Sequence, residues 1–413
     1  MKDTAKMNII HLTQYYPPEP GAVQVRAQAI ASSLVQFGHH VTVLTEMPNH
    51  PVGVIYPDYK GKLFSKEVLD DVEVLRVWVK TTPKKNFYTR IAFYLSYMLN
   101  AGLRGIFLRR KYDFVFANSP PLFVGVAGLF LSFVHRIPFV FEVQDLWPES
   151  AVDMGELRNQ RFIRWATWLE EKCYQYAERI VVVSDGIYNR LVERGIDPQK
   201  IRMVENGSNT RLFKPQPEQG ARLRAHWGLD EKFIVFYGGI IGLAQGLETI
   251  VETAQRLVTE PDIHFVMVGE GPRRAALEAM LADLNLPNFT FLPGQTLEAM
   301  PAHLNAADVA LAPLRDLPVF EGVRPTKIFD AWACERPVIV SARGEPCRIV
   351  QEAEGGLCTA PECPDEIANA ILALRDQPEL RLKLGLNGKK FVDSQYSLQA
   401  MAAKLELVLR DLL

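Results

Sequence analysis

The residues best suited to chemistry gather around the start of one predicted helix in the second half of the chain. Thr326 follows Pro325 and is a good N-cap residue, so the sequence predicts a helix that begins near Lys327. The start of a helix presents unpaired backbone N–H groups and the positive end of the helix dipole, and Arg315 and Arg324 would add positive charge beside Lys327. This pattern favours a site that binds a diphosphate group.

The same helix has a carboxylate one turn after its start. Asp330 would place this carboxylate where it can accept hydrogen bonds from the hydroxyls of a ribose, and Ile328 lies in the turn between Lys327 and Asp330. The alternative is a capped helix whose charges are simply solvated. The sequence alone leaves both interpretations open.

A glycine-rich turn within residues 237–250 offers a second way to bind phosphate. It lies between a predicted strand and a predicted helix, where the backbone N–H groups of a turn can cradle phosphate oxygens. Its glycines are Gly238, Gly239, Gly242 and Gly246. Gln245 precedes the last of them, and a similar turn after the next predicted strand contains Glu270. The alternative is a turn that is tight only because its neighbours pack closely against it.

Candidate residues in the first half of the chain follow its first and fifth predicted strands. The loop after the first strand has Gly21 in a proline-rich bend and leads to a helix with Arg26, so it could receive an anion or a sugar oxygen; the alternative is a bend without a ligand. This loop lacks the GxGxxG pattern of dinucleotide sites, which disfavours a dehydrogenase.

The turn QDLWPES after the fifth strand contains Asp145 and Glu149, and Asp145 is either a turn cap or a carboxylate that orients an acceptor hydroxyl.

These loops require two α/β domains to hold them. The chain has 413 residues, 48% of them hydrophobic and 23% charged, which excludes a disordered, collagen-like or coiled-coil protein and predicts two domains. Short β-branched or aromatic runs alternate with amphipathic stretches, as in parallel sheets covered by helices on both faces. The predicted strands are residues 7–13, 40–45, 72–78, 113–118, 138–145, 179–185, 233–239, 264–271, 289–294, 308–314 and 337–342. We therefore expect two Rossmann-like, doubly wound domains that face each other across a cleft.

The predicted boundary between the domains lies in a polar stretch near the middle of the chain. Residues 205–220 are rich in Asn, Gly, Pro and Ser and predict a linker, which gives domains of residues 1–207 and 208–395. Residues 396–413 predict a C-terminal helix.

The near-neutral charge of the chain hides one strongly basic segment. The whole chain has 46 Lys and Arg against 48 Asp and Glu, a net charge of −2, which argues against a nucleic-acid-binding protein. Nine of the basic residues, and no acidic one, lie within residues 76–111, where aromatic residues are interleaved with them. This mixture predicts a face that binds an anionic membrane surface; the alternative is an ordinary helix with core aromatics and solvated charges.

The first residues of the chain, its apolar runs and its cysteines indicate in which cellular compartment to expect it. Its first residues do not form a signal peptide, and its longest uncharged apolar run, residues 120–134, is too short to span a membrane. Five cysteines without a CxxC pair predict reduced thiols and no zinc site. We therefore expect a cytoplasmic protein. With the basic segment, and with the family resemblance described next, the expected location is peripheral on the inner face of the plasma membrane.

Taken together, these motifs resemble the GT-B glycosyltransferases of family 4. The likeness extends over nearly the whole chain and is closest to a bacterial surface-polysaccharide group that includes L-fucosamine transferases. The segments that carry it are PPEPGA, NSPPLFVG, QDLWPES, ENGSNTRLFKP, GGIIGLAQG, GEGP and PTKIFDAWACERPVIVS.

The resemblance implies a nucleotide-sugar donor in the C-terminal domain and an acceptor in the N-terminal domain. It also implies transfer with retention of anomeric configuration, no metal and no other cofactor, and a C-terminal helix that returns to the N-terminal domain. No two Asp residues are spaced as DxD, in agreement with metal-independent chemistry. The donor residues it suggests are Gly238, Gly239, Gln245, Glu270, Arg315, Thr326, Lys327, Ile328 and Asp330, and the acceptor residues are Gly21, Arg26 and Glu149.

The chain departs from the family pattern at three places. Ile240 and Gln245 stand where typical members have a cation pair, so Arg315, Arg324 and Lys327 are expected to neutralise the leaving diphosphate. The family's paired glutamates align with Asp330 and, one residue out of register, Glu321, which makes a sugar contact by Glu321 doubtful. Gln144 replaces a histidine, so Asp145 joins Lys327 and Arg324 as a predicted catalytic residue.

The sequence thus predicts a metal-independent transferase that moves a hexose or amino-deoxyhexose from a nucleotide diphosphate sugar, with UDP as the expected nucleotide. The expected acceptor is a glycan or a lipid-diphosphate-linked sugar. Two alternatives remain: a nucleotide-sugar epimerase or hydrolase of the same fold, and a non-catalytic two-lobed sugar-binding protein.

Overall fold

The computed structural model describes residues 6–84, 86–153, 155 and 157–413. The chain divides into two compact units. The first comprises the chain up to Glu205 together with Leu398–Leu413, and the second comprises Asn206–Ser397. The division falls at the start of the predicted linker, and the last part of that linker forms the beginning of a helix instead, at Pro217.

The secondary structure alternates between strands and helices along most of the chain. The strands are β1 (Asn8–Leu12), β2 (His40–Glu46), β3 (Phe64–Leu69), β4 (Val72–Val77), β5 (Phe114–Ser119), β6 (Phe139–Val143), β7 (Arg179–Val182), β8 (Ile201–Met203), β9 (Phe233–Gly238), β10 (Ile263–Val268), β11 (Phe289–Leu292), β12 (Val309–Pro313), β13 (Val338–Ser341) and β14 (Gly356–Thr359). The helices are α1 (Ala22–Gln36), α2 (Phe87–Ile106), α3 (Leu122–His135), α4 (Glu149–Asp153), α5 (Gln160–Tyr176), α6 (Asp185–Glu193), α7 (Pro217–Trp227), α8 (Glu248–Arg256), α9 (Arg274–Leu284), α10 (Met300–Ala306), α11 (Thr326–Ala333), α12 (Glu345–Ala353), α13 (Pro364–Asp376), α14 (Pro378–Gln395) and α15 (Leu398–Arg410). Within the described ranges, no helix is long and apolar enough to cross a membrane.

Each unit is built on one doubly wound sheet. The strand order is β3-β4-β2-β1-β5-β6-β7-β8 in the first unit and β11-β10-β9-β12-β13-β14 in the second. Neighbouring strands are parallel except for β3 and β4. The strand order reverses between β1 and β5, and again between β9 and β12. These features confirm the predicted fold class.

Every predicted strand coincides with an observed one, but the sequence missed β3, β8 and β14. β3 alternates exposed and half-buried residues at the edge of its sheet, so it lacks the continuous apolar run by which the other strands were recognised. It pairs with β4 through a tight turn at Asp70 and Asp71, both of which have positive φ. β8 and β14 are only three and four residues long.

The C-terminal helix packs within the first unit. Met401, Leu405 and Leu409 of α15 are buried in the same apolar cluster as Ala27 and Ile30 of α1. The amphipathic spacing of α15 thus supplies part of the core on one face of the first sheet.

A buried ion pair lies under that helix. Arg26 of α1 is 3% exposed and Glu142 of β6 is 1% exposed, and Nη2 of Arg26 donates to Oε1 of Glu142 at 2.7 Å. The same guanidinium donates to the carbonyl oxygens of Val204 at 2.8 Å and Glu205 at 3.1 Å. Arg26 therefore joins β6 to the segment after β8, and this structural role takes the place of the predicted acceptor contact.

The pair predicts a large loss of stability when one partner is removed. Arg26→Met should lower the free energy of unfolding of the first unit by about 3–5 kcal/mol, because it leaves Glu142 as an uncompensated buried charge. Chemical denaturation followed by fluorescence measures this loss. The double variant Arg26→Met/Glu142→Gln should recover part of it; a single variant as stable as the wild type would show that the pair is not structural.

Candidate active site

The second unit gathers its candidate residues where its strand order reverses. Ligands of doubly wound sheets bind outside the carboxyl ends of the strands at this reversal. Here the glycine-rich turn follows β9, the segment with Arg315 follows β12, and α11 begins beside them. The backbone N–H of Arg315 donates to the carbonyl of Ala244 at 3.0 Å, so the two loops are joined directly.

The ammonium of Lys327 lies against the glycine-rich turn. Its Nζ donates to the Tyr237 hydroxyl at 3.1 Å and lies 4.3 Å from the centre of the Tyr237 ring. The same hydroxyl donates to the carbonyl of Ile240 at 2.7 Å. A side chain at Gly239, whose φ is +143°, would bring its Cβ within 3.0 Å of Lys327 Nζ. Glycine at this position thus leaves room for the lysine and suits the backbone conformation.

Asp330 lies one turn further along α11. Its Oδ1 accepts a hydrogen bond from the Ser208 hydroxyl at 2.6 Å. Burial raises the pKa of Asp330 to about 7, although the hydrogen bond from Ser208 and the charge of Lys327 act in the opposite direction. The carboxyl group can therefore change its charge near neutral pH.

Arg315 supplies a second cation near the turn. Its Nη2 lies 3.8 Å from Oε2 of Glu248, and its Nε is buried without a hydrogen-bond partner among the described residues. Arg273 also pairs with Glu248. Burial opposes the ionisation of Glu248, but the hydrogen bond from Arg273 and the charges of both arginines hold its pKa below its usual value. Two cations thus share one carboxylate.

Three predicted residues of this region have other roles. Arg324 is paired with Glu345, and its Nη1 lies 3.3 Å from the Tyr396 hydroxyl, so its charge is neutralised within the unit. Thr326 is the first residue of α11 rather than its cap, a position that Pro325 takes without any side-chain hydrogen bond. The Ile328 side chain is 1% exposed and belongs to the apolar core. Arg324 and Ile328 therefore stabilise the fold around the start of α11.

The remaining donor candidates border the same region. Gly238 ends β9, with Met300 and Phe236 against its backbone. Gln245 has a buried Oε1 without a hydrogen-bond partner among the described residues. Glu270 accepts from the Gly294 N–H at 3.1 Å, which ties the turn after β10 to the segment after β11.

The candidates of the first unit are not gathered in this way. Gly21 precedes α1, and Arg26 is buried with Glu142. Asp145 accepts from the Ser150 hydroxyl at 2.9 Å, the turn-capping geometry that the sequence left open, and burial raises its pKa. Glu149 pairs with Arg190 of α6 at 2.7 Å. Asp145 thus has a clear local role, and Glu149 is engaged in an ion pair.

Tyr237, Ser208 and Glu345 are residues of this region that were not predicted from the sequence. The sequence feature that could have identified Tyr237 is its position directly before two glycines at the carboxyl end of a predicted strand. Ser208 and Glu345 are distant in sequence from Asp330 and Arg324, so nothing local in the sequence pairs them. Among the described residues, no group of three His, Cys, Asp or Glu side chains is arranged to hold a metal ion.

Comparisons with known proteins agree with this architecture. Residues 21–207 match the glycosyl transferase 4-like domain, and residues 231–377 match the glycosyl transferases group 1 domain. The chain is 25% identical to the putative colanic acid biosynthesis glycosyl transferase WcaI of Escherichia coli over 365 residues, which cover 86% of this chain and 89% of WcaI. It is 27% identical to the probable glycosyltransferase WbjE of Pseudomonas aeruginosa over 63% of this chain and 66% of that one.

A solved structure supports the same fold. Anabaena HepE in complex with UDP superposes with a TM-score of 0.75 at 17% identity, covering 98% of this chain and all of that one (100%). With both domain families matched in order along the chain, and with two doubly wound sheets, the chain belongs to the GT-B glycosyltransferases of the family 4 type.

Proposed function

We propose that this glycosyltransferase moves a hexose or amino-deoxyhexose from a UDP-linked sugar to a glycan or lipid-diphosphate-linked sugar acceptor in surface polysaccharide synthesis. The proposal includes retention of anomeric configuration and independence from metal. The observation that carries it is the position of Lys327, whose ammonium lies against the glycine-rich turn with Asp330 one helical turn away. This arrangement suits a nucleotide diphosphate, because the ammonium and the start of α11 can bind the diphosphate and the carboxylate can accept hydrogen bonds from the ribose.

The named relatives support the substrate class. WcaI is named as a putative colanic acid biosynthesis glycosyl transferase, and HepE has been solved with both UDP and UDP-glucose. Colanic acid is a polysaccharide, and both HepE ligands have a uridine diphosphate group. These properties belong to the relatives, and we carry them over as part of the proposal.

Stabilisation of the leaving diphosphate is the main catalytic contribution in this proposal. Negative charge develops on the diphosphate as its bond to the sugar breaks, and a fixed cation in a partly buried site stabilises that charge more than water does. Lys327 is held by Tyr237 and needs no reorganisation at that moment. Arg315 is the second candidate cation, and Arg324 is replaced in this role because Glu345 already neutralises it.

We also propose that the first unit binds an anionic membrane surface on the inner face of the plasma membrane. Within the predicted segment 76–111, Arg76 is fully buried and pairs with Glu67, and Lys85 lies outside the described residues. Six of the remaining basic residues are exposed: Lys80, Lys84, Arg90, Arg109, Arg110 and Lys111. The proposed membrane-binding surface therefore includes only these exposed residues of the segment, not the whole segment.

The apolar part of this surface extends beyond the predicted segment. The outward stripe of α2 includes Leu99, Leu103 and Ile106, which are 59%, 57% and 38% exposed. Helix α3 packs closely against α2, where Phe130 and Leu131 contact Gly102 and Gly105. The exposed aromatic residues of α3 and α5 are Phe130, Phe133, Trp165, Trp168 and Tyr176. Aromatic and apolar side chains rimmed by cations are typical of interfacial binding.

The proposed donor site predicts that three single variants differ in their transferase activity. Lys327→Ala should reduce turnover by about 10²–10³-fold, because it removes a charge that stabilises the leaving group. Asp330→Ala should weaken binding of UDP-sugar, whereas Glu321→Ala should have little effect. Release of UDP from a panel of UDP-sugars, with and without acceptor extracts, measures these effects. Equal activity of the three variants would contradict the assignment.

The position of Asp330 also predicts a pH dependence of donor binding. A carboxylate accepts two ribose hydroxyls only when ionised, so affinity for UDP-glucose should fall as the pH drops through about 7, the folded-state pKa of Asp330. Asp330→Asn should bind more weakly at high pH and lose this dependence. Calorimetric titration at several pH values makes the measurement; an unchanged pH profile in Asp330→Asn would contradict a ribose contact.

The membrane surface predicts selective binding to anionic vesicles. Each cation near anionic lipid contributes about 1 kcal/mol, so the wild type should float with phosphatidylglycerol-containing vesicles and much less with phosphatidylcholine alone. Leu103→Glu should reduce flotation. Leu382→Glu is the matched control, since Leu382 is 63% exposed on α14 of the second unit. Equal flotation with both lipids, or equal loss in both variants, would contradict the proposed surface.

A further inference from the structure

We propose that Ser208 is a positioning residue of the donor site, whose hydroxyl holds the carboxylate of Asp330 in one orientation and in its ionised form for a ribose. This inference rests on the proposed function, because it assigns a role in the donor site to a residue that acts through Asp330. Ser208 lies in the segment between β8 and α7, far in sequence from α11. It is not among the donor residues predicted from the sequence.

A short hydrogen bond joins the two side chains. Ser208 is 1% exposed, and its hydroxyl donates to Oδ1 of Asp330 at 2.6 Å. This distance is in the range of hydrogen bonds from a hydroxyl to an ionised carboxylate, which are stronger than those between neutral groups. Among the described residues, no other group donates a hydrogen bond to the Asp330 carboxylate. The hydroxyl therefore fixes one oxygen and leaves Oδ2 for the hydroxyls of a ribose.

The backbone of Ser208 is itself held in place. Its N–H donates to the carbonyl of Tyr396 at 2.8 Å, and Ser208 pairs with Ser397 in an isolated β-bridge. A side chain at Gly207 would bring a Cβ within 2.5 Å of the same Tyr396 carbonyl oxygen, so glycine allows the two segments to lie this close. The Ser208 hydroxyl thus projects from a fixed segment, which lowers the entropic cost of orienting it.

The same segment returns to α11 through an aromatic stack. The centres of the Tyr396 and Phe329 rings are 5.0 Å apart, and the two ring planes differ by 12°. Phe329 directly precedes Asp330 in α11 and is fully buried. Contacts therefore run from Phe329 through Tyr396 to Ser208, and the Ser208 hydroxyl closes the circuit at the neighbouring carboxylate. Such a closed set of contacts restricts the carboxylate more than one hydrogen bond alone would.

The charge of Asp330 near neutral pH depends on this hydrogen bond. Burial raises the pKa of Asp330 to about 7, and the hydrogen bond from Ser208 and the charge of Lys327 oppose that rise. Residues 206–210, which include Ser208, have no charged side chain. In the proposed donor site the charge of Lys327 is directed at the diphosphate. With a donor bound, the Ser208 hydroxyl is therefore the group that keeps Asp330 ionised.

The other titratable groups beside Asp330 do not replace this hydroxyl. Cys334 directly follows α11, and burial together with the charge of Asp330 raises its pKa to about 12, so it remains a neutral thiol. The hydroxyl of Tyr396 accepts from Arg324, whose charge is already paired with Glu345. Neither group supplies a hydrogen bond or a free positive charge to the carboxylate.

Binding of UDP-glucose to the full-length protein at several pH values tests the inference. In Ser208→Ala the carboxyl group loses its hydrogen-bond donor, so the midpoint of the pH dependence should move up by about one pH unit, the size expected for a hydrogen bond to a charged group. At pH 7 the ionised fraction of Asp330 would then fall from about one half to about one tenth, and calorimetry should record an affinity about fivefold lower. Most of this loss should disappear at about pH 9, where the group is ionised in both proteins.

Ser341→Ala is the matched control. Ser341 is 2% exposed in the same unit, and its hydroxyl donates to the carbonyl of Ala360 at 2.9 Å instead of to a carboxylate. This variant should keep the wild-type midpoint. A Ser208→Ala profile identical to that of Ser341→Ala would overturn the inference, because a purely structural serine affects stability without moving the pH dependence.

Carbon-13 NMR of the aspartate carboxyl groups separates a failed positioning role from a failed donor site. The Asp330 signal is assigned by its absence from Asp330→Asn, and its titration is followed without nucleotide. Ser208→Ala should raise the pKa of Asp330 by about one pH unit, and an unmoved titration would overturn the inference whether or not UDP-glucose binds. If the titration moves as expected but the wild type binds no UDP-sugar, the proposed function fails while the control of Asp330 by Ser208 stands.

Discussion

The contact between the Lys327 ammonium and Tyr237 is the interaction on which the donor region depends. Tyr237 is the second-last residue of β9, Lys327 is the second residue of α11, and the phenol also donates to the carbonyl of Ile240. One side chain therefore fixes both the glycine-rich turn and the cation that faces it. Gly239 permits this approach because it has no Cβ. Ile240 and Gln245 stand where the family resemblance places a cation pair, and in the proposed donor site Tyr237 instead holds a lysine from another element against the turn.

Burial decides which cations are available for a ligand. The guanidinium groups of Arg26, Arg76 and Arg324 are each buried and paired with a carboxylate, so they stabilise the fold. A buried guanidinium without such a partner would carry a large desolvation penalty, which explains why each pair is complete. Lys327 instead lies near the start of α11, where its ammonium contacts the Tyr237 hydroxyl and has no carboxylate as its hydrogen-bond partner among the described residues. The sequence identifies all of these residues as basic, but it does not show which of them are buried in ion pairs. Only the packing of the folded chain makes that distinction.

The sequence predicted the fold well, because continuous apolar runs and the loops between them are local signals. The prediction that Lys327 and Asp330 belong to the site also used a local signal, because both follow a helix start that Pro325 marks. The sequence could not identify Ser208 as the partner of Asp330, or Glu345 as the partner of Arg324, because these pairs form only when distant segments fold together. The edge strand β3 was missed because its alternating exposure gives no apolar run.

The outward face of α2 is the feature that the membrane proposal for the first unit explains. A soluble helix normally turns a polar stripe to solvent, yet here the exposed positions Leu99, Leu103 and Ile106 are apolar. The inward positions, such as Tyr97, already fill the core, so burial within the unit does not explain the outward ones. If a bilayer covers this stripe, the start of α2 lies at the level of the headgroups. The exposed side chains of Lys84 and Arg90 beside that start are then at the depth of anionic headgroups.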